Sequence, residues 1–243
     1  MTSSEGRAGT GRGTDPIWSR RGGSRGPHRS QGLAGITAAA VRLADADGLD
    51  AVTMRAVAAE LGTSAAGLYR YVATRDELVT LMVDLAVGEI ELPDVAGAGT
   101  VGAGGTAGTA GFDLAGCLDA LVGLGDRQLA TYCRHPWLAV AARRPMVMGP
   151  STLAYVEWCL EAMAPLAVTP ARRMEAIALV TGVVILFTPQ PDARPGALFA
   201  LADPARHPYL IAALASPPAP PAVDAADLFH RALRGVLSGV LGG

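Results

Sequence analysis

The chain has 243 residues, with 20 arginines and no lysine against 22 carboxylates; half of it is apolar and only 5% aromatic. Such a core of Ala, Val and Leu favours helices, and the length allows one or two domains. The formal charge of −2 gives no general signal for nucleic acid, so any such function must rest on local arrangement. The longest apolar run, Ala176 to Phe187, falls short of the ~18 to 20 residues that cross a bilayer, so it reads as a buried helix and no membrane partner is expected. Ser19-Arg20-Arg21 is followed by Gly, Ser and Pro rather than an apolar stretch, which points away from an export signal and towards the cytoplasm. Cys117, Cys133 and Cys159 are widely spaced and odd in number, which is no disulfide framework.

Residues 1–32 carry eight glycines and six arginines with almost no large apolar side chain, a composition expected of a disordered basic arm. Leu33, Ile36, Ala40, Leu43 and Ala44 then form one helical stripe, stopped at Asp47-Gly48. Met54, Val57, Ala58 and Leu61 mark a short second helix with Thr53 as its N-cap and Gly62 past its end. Ser64 caps a third over 64–72, in which Leu68 and Val72 continue the apolar face. Thr74-Arg75-Asp76-Glu77 is a capping box that opens a fourth helix, running through Leu78, Leu81, Met82 and Leu85 towards Pro93. A Gly-rich connector is expected over 94–111, holding seven glycines. Further helices are expected at 113–133, 137–142, 150–166, 170–188 and 223–241. Nine of the 17 prolines fall between Pro189 and Pro221, where Ala197–Ala202 and Tyr209–Leu214 can form short helical pieces. No stretch alternates as a strand does, so the fold class is all-α.

The informative segment is 53–79, TMRAVAAELGTSAAGLYRYVATRDELV. Two short amphipathic helices joined by Leu61-Gly62-Thr63-Ser64 make a helix-turn-helix, whose second helix enters the major groove of duplex DNA. Ala65, Ala66, Gly67, Tyr69, Arg70 and Tyr71 are then expected to face DNA, while Leu68 and Val72 face the bundle. The small residues let the helix N-terminus approach the bases, and alanine methyls suit thymine methyls. Residues 33–80 hold four arginines against six carboxylates, a net repulsion for DNA. The arm, with six arginines against Glu5 and Asp15, is positioned in sequence to offset it through Arg20, Arg21, Arg25 and Arg29.

These residues resemble the DNA-binding domain of the TetR family of transcriptional regulators: the three-helix start at 33–72, the stretch LGTSAAGLYRYV, and the TRDEL opening of the fourth helix. The resemblance is specific over 33–90. It implies backbone-contacting roles for Thr53 and Thr63, base reading by Arg55, phosphate contacts from Tyr69 and Tyr71, and a phosphate contact from Arg75, where the family commonly carries a lysine; Ser64, the cap of the third helix, is counted with the DNA-binding residues. Arg70 stands where members vary most in base contact. Polar readers common at the start of the recognition helix are replaced here by Ala65, Ala66 and Gly67, which shifts the weight of readout to Arg55 and Arg70.

The resemblance divides the chain into a basic arm (1–32), a DNA-binding domain (33–80) and a ligand-binding and dimerisation domain (81–243). Residues 135–166 look like the C-terminal domain of the tetracycline-repressor-like subgroup. They supply His135, Trp137, Met146, Tyr155, Trp158 and Met163, aromatic and soft apolar groups suited either to a flat hydrophobic ligand or to ordinary core. Arg143-Arg144 is either a contact for an acidic ligand group or an exposed pair. The family's last two long helices pair with those of a second subunit, which implies a homodimer on a palindromic operator. The implied function is a one-component repressor released by a small hydrophobic effector; the alternative is a small-molecule binding helical protein without operator-specific DNA binding. No nucleophile elbow, HExxH, phosphate loop or dinucleotide fingerprint occurs, and the i, i+2 spacing of Cys133 and His135 does not suit a helical metal site. No enzyme activity, cofactor or metal is therefore expected.

Overall fold

The computed structural model describes Trp18 and residues 27–94, 113–145, 147–189, 199, 201–215 and 224–242. Among these every regular element is a helix: α1 (Pro27–Asp47), α2 (Met54–Glu60), α3 (Ala65–Leu68), α4 (Arg75–Val87), α5 (Leu114–Arg134), α6 (Leu138–Ala141), α7 (Pro150–Ala162), α8 (Pro170–Phe187), α9 (Pro208–Ala215) and α10 (Ala225–Leu241). No helix among the described residues is long and apolar enough to cross a membrane. The chain divides into two compact units. The first runs to Leu85 and includes Arg144–Gly149; the second holds Ala86–Arg143 and Pro150 onward. The division thus falls within α4, a few residues beyond the boundary expected at 80.

In the first unit α1 begins at Pro27, well inside the segment expected to be a disordered arm. Proline suits this place because the first turn of a helix has no use for its N–H. Most other arm residues, Arg20, Arg21 and Arg25 among them, lie outside the described residues, whereas Arg29 falls within α1. Trp18 is described; it is half-buried, and its indole stands where a side chain on Gly149 would otherwise sit. Ile36, Ala40, Val52, Val57, Leu68, Val72, Leu78 and Met82 close the unit's core. A 3-10 turn at Leu49–Ala51, which periodicity did not anticipate, links α1 to α2.

The second unit packs α5, α7, α8 and α10. Phe229, Leu233, Leu237 and Leu241 recur every fourth residue, so one face of α10 is apolar and buried. That face meets α5 at Gly125, where an added Cβ would stand 2.6 Å from Leu233 Cδ2, so any larger residue there would have to displace the Leu233 side chain. Beside the seam, His230 pairs with Asp126 (2.8 Å) and Arg234 with Asp119. Numbering rises on one helix as it falls on the other, so the two helices run antiparallel. Phe187, ending α8, meets Phe229 edge-on with ring centroids 5.4 Å apart. Residues 95–112, most of the expected connector, and 190–198 lie outside the described residues. α9 buries none of its side chains.

Leu233 is fully buried at the seam. Leu233→Ala is expected to cost about 2–5 kcal/mol of stability, read from the urea midpoint, because it removes a fully buried side chain and leaves a cavity. A change near zero would mean that α5 and α10 are not packed as described.

Candidate nucleic-acid interface

The turns of the 53–72 segment are closed by local side-chain and backbone hydrogen bonds. Thr53 Oγ1 accepts from Ala56 N at 3.1 Å and so caps α2. At the other end Gly62 adopts φ +62°, Gly62 N donates to Ala59 O (3.1 Å) and Thr63 N to Ala58 O (2.9 Å). This is a Schellman stop, whose left-handed residue favours glycine. Ser64 Oγ then accepts from Gly67 N at 3.2 Å, starting α3 two residues after α2's chain reversal. Regular helix ends at Leu68, earlier than the expected 72, and hydrogen-bonded turns carry the chain on to Val72, with Tyr71 N and Val72 N both donating to Leu68 O. Leu68 (2% exposed) and Val72 (0%) anchor this short piece in the core.

Anchoring on that side leaves Thr53, Arg55, Thr63, Ser64, Ala66, Tyr69 and Arg70 exposed, with Ala65 and Gly67 half-exposed between them. Tyr69 is 54% exposed, an uncommon setting for a large ring, and the Arg70 guanidinium lies 3.9 Å from where a Gly67 side chain would begin. The exposed set therefore gathers aromatic, cationic, hydroxyl and small residues on the two helices and their joint, a composition suited to phosphates and base edges. Two of the expected residues are placed differently. The Tyr71 ring lies against α1, 2.9 Å from where a Cβ on Gly32 would be, and is half-buried. The Arg75 side chain turns inward, Nε donating to Val52 O and Nη2 to Leu49 O, both at 2.6 Å. Arg42, on α1, pairs with Glu60 on α2 (3.2 Å) in an exposed bridge of little energetic weight. Arg144 of the returning segment stands 3.9 Å from Asp76, within the same unit.

The residues expected to meet a ligand lie in the second unit, except Met146, which is outside the described residues. His135, Trp137, Tyr155, Trp158 and Met163 are all buried. Tyr155 Oη donates to Gln128 Oε1 (2.8 Å) and Gln128 Nε2 to Thr181 Oγ1 (3.2 Å), a polar chain joining α7, α5 and α8 across an apolar interior. Gln128 was not anticipated, although a glutamine on the buried stripe of α5 is the kind of exception that marks a partner opposite. Burial pushes the Tyr155 hydroxyl well above its usual range and the Cys159 thiol up to about 12, so both remain protonated and Tyr155 keeps its donor role. Trp158 Nε1 donates to Pro93 O. The His135 and Trp137 rings lie 6.0 Å apart, tilted by 60°.

A charged cluster that the sequence did not single out joins Glu89 to the end of α5. Arg134 Nη2 donates to Glu89 Oε2 at 2.9 Å, and His135 Nε2 stands 3.2 Å from the same oxygen. Burial raises the Glu89 carboxyl, but these two partners outweigh it and the net shift is below the ordinary 4.5. A depressed carboxylate stabilises the fold above its ordinary value, and that share is lost as pH falls through the folded-state value. Glu89→Gln should therefore flatten the acid side of the stability curve below about pH 4.5 while leaving its slope near neutrality unchanged. Superimposable acid curves for the two proteins would remove the cluster from the account.

Residues 36–82 match the family model described as bacterial regulatory proteins, tetR family. The chain is 36% identical over 162 residues to the HTH-type transcriptional repressor DrrR1 of Streptomyces coeruleorubidus, covering 67% of this chain and 54% of that protein. It is 29% identical over 150 residues to an HTH-type transcriptional regulator of Saccharopolyspora erythraea, covering 62% and 56%. It spans little more than half the length of these curated relatives. Among solved structures, the Streptomyces coelicolor TetR family protein ActR in complex with (S)-DNPA superposes with a TM-score of 0.65 at 22% identity, over 87% of this chain and 97% of that one. ActR in complex with actinorhodin gives 0.64 at 22% identity, over 87% and 95%. Likeness at that identity establishes the shared fold, while the family match falls on the helix-turn-helix itself. The chain belongs to the TetR family of bacterial regulatory proteins.

Proposed function

We propose that the chain is a one-component repressor that holds a palindromic operator as a homodimer and lets it go when a small hydrophobic effector enters the second unit. The observation that carries this reading is the exposed face of α2 and α3, where Arg55, Tyr69 and Arg70 project around a capped helix-turn-helix whose other face is fully spent in the core. Thr53, Thr63 and Ser64 flank it as backbone contacts, and Ala65, Ala66 and Gly67 give close approach. Arg55 and Arg70 are the base readers. A repressor name among the relatives and a solved relative holding (S)-DNPA or actinorhodin support repression and a small-molecule effector. Tyr155, Trp158, Met163, His135 and Trp137 are the side chains that would meet it. α4 begins in the first unit and ends in the second, so it is the covalent route by which a ligand there alters the spacing of two readers. Such coupling is typically worth ~1–3 kcal/mol.

Selection from a random-sequence duplex library should enrich inverted half-sites spaced by about one helical turn or a multiple. Arg55→Ala should cost about 1–3 kcal/mol on the enriched duplex and relax its preferred sequence. Recovery of no sequence above bulk, from protein shown to be folded, would overturn operator recognition.

Dimerisation is supported by what α8 and α10 leave uncovered. Met174, Ala178, Gly182 and Leu186 recur at intervals of four on α8, and Leu228, Ala232, Gly235, Val236 and Gly239 line one side of α10. Leu186 is 78% exposed, and a side chain added at Gly182, Gly235 or Gly239 would meet nothing within 4 Å. A second copy is the natural cover for two such stripes. Leu186→Asp with Val236→Asp should halve the sedimenting mass; an unchanged mass would place the interface elsewhere.

A further inference from the structure

Arg75 occupies the family's phosphate-contact position, yet its side chain is engaged inside the first unit. Nε and Nη2, the two donors on one edge of the planar guanidinium, reach Val52 O and Leu49 O, each at 2.6 Å. These carbonyls belong to the 3-10 turn between α1 and α2 and the residue that follows it, immediately before the α2 N-cap Thr53. Leu49 O also accepts from Val52 N at 3.2 Å, so the arginine adds a second donor to an acceptor already closing the turn. Leu49 is 4% exposed and Val52 0%, so this stretch of backbone is embedded in the core. The other end of the link is equally fixed. Thr74 Oγ1 accepts from Glu77 N (3.1 Å) and Glu77 Oε2 from Ala73 N (2.7 Å), holding the turn from which Arg75 projects.

We infer that Arg75 is a positioning residue, whose fork locks the first turn of α4 to the α1–α2 corner and thereby sets where α2 and, through the Gly62 stop, α3 stand. Its effect on DNA affinity comes through the placement of Arg55 and α3 and not through its charge at a phosphate. The inference rests on the DNA-binding reading above and deepens it, because it makes a shift of α4 a shift of the reader. Lysine separates the two roles: an ammonium keeps the charge and the reach but cannot bridge two fixed carbonyls along one edge.

The test compares the wild-type chain, Arg75→Lys and Arg75→Gln on the duplex that the wild type selects from a random library, across a salt series and well below each protein's unfolding temperature. Amide hydrogen exchange over residues 54–58 is followed in the DNA-free chains. Both variants are expected to bind about tenfold or more weakly, the loss that follows from breaking charge-assisted hydrogen bonds, with the slope of log K against log salt unchanged. Exchange in α2 should quicken in both. Full affinity in Arg75→Lys, with a slope about 0.9 smaller in Arg75→Gln, would make Arg75 a phosphate contact and overturn the inference. Unchanged affinity in both variants with only a lower unfolding temperature would overturn it too, leaving a structural clasp without influence on the reader. If the wild type selects no duplex, the DNA-binding reading itself falls, whereas unchanged exchange over 54–58 in both variants overturns the clamp independently of any DNA.

Discussion

A helix of one turn cannot hold itself together in water, because nucleation fixes several residues before hydrogen bonds begin to compensate. α3 is such a helix, four residues from Ala65 to Leu68. Its existence depends on neighbours: Leu68 and Val72 buried on one side, the Ser64 cap in front, and the Gly62 stop that aims it away from α2. Because all the anchoring lies on one side, the opposite face is released from structural duty. That division of labour is what permits Ala65, Ala66 and Gly67 to be small and Tyr69 and Arg70 to stand out in solvent.

The arginines of the first unit show how similar side chains are put to different ends. Arg75 is drawn to two backbone carbonyls, Arg42 forms a surface bridge, and Arg55 and Arg70 remain on the exposed face. With six carboxylates against these four cations over residues 33–80, the unit is not a basic surface. Recognition by such a unit depends on a few well-placed contacts more than on bulk charge, and placement is what the clamp at the α1–α2 corner provides. In the second unit the logic is inverted. An apolar interior is crossed by a polar chain, Tyr155 to Gln128 to Thr181, in which the buried Tyr155 and Gln128 satisfy each other away from water.

Much of this was legible in the sequence because it is encoded over short distances. Thr53, Ser64 and Thr74 cap the helices that follow them, and the three- and four-residue spacing of apolar side chains marks the long helices to within a few residues. The motif's exposed face followed from the same periodicity. What could not be read depends on distant partners. Arg75 sits at the start of a helix like a surface residue, and its acceptors are backbone carbonyls 23 and 26 positions away that have no side-chain signature. Tyr71 falls on the outward side of an ideal helix, but α3 gives way to turns at Tyr69, and the ring is brought back against Gly32. Glu89 finds Arg134 and His135 some 45 residues on, and the segment 144–149 returns to the first unit. Composition alone assigned residues 1–32 to an arm, whereas helix α1 reaches back to Pro27.

The central claim is that the face left exposed by the anchoring of α2 and α3 is where duplex DNA is held. Amide chemical-shift mapping of the labelled chain, titrated with its selected duplex, tests this most directly. The account predicts that the largest perturbations fall on residues 53–55 and 63–71, with the buried amides of α5 and α10 little changed. Perturbations centred in the second unit, with 63–71 unmoved at saturating duplex, would contradict it.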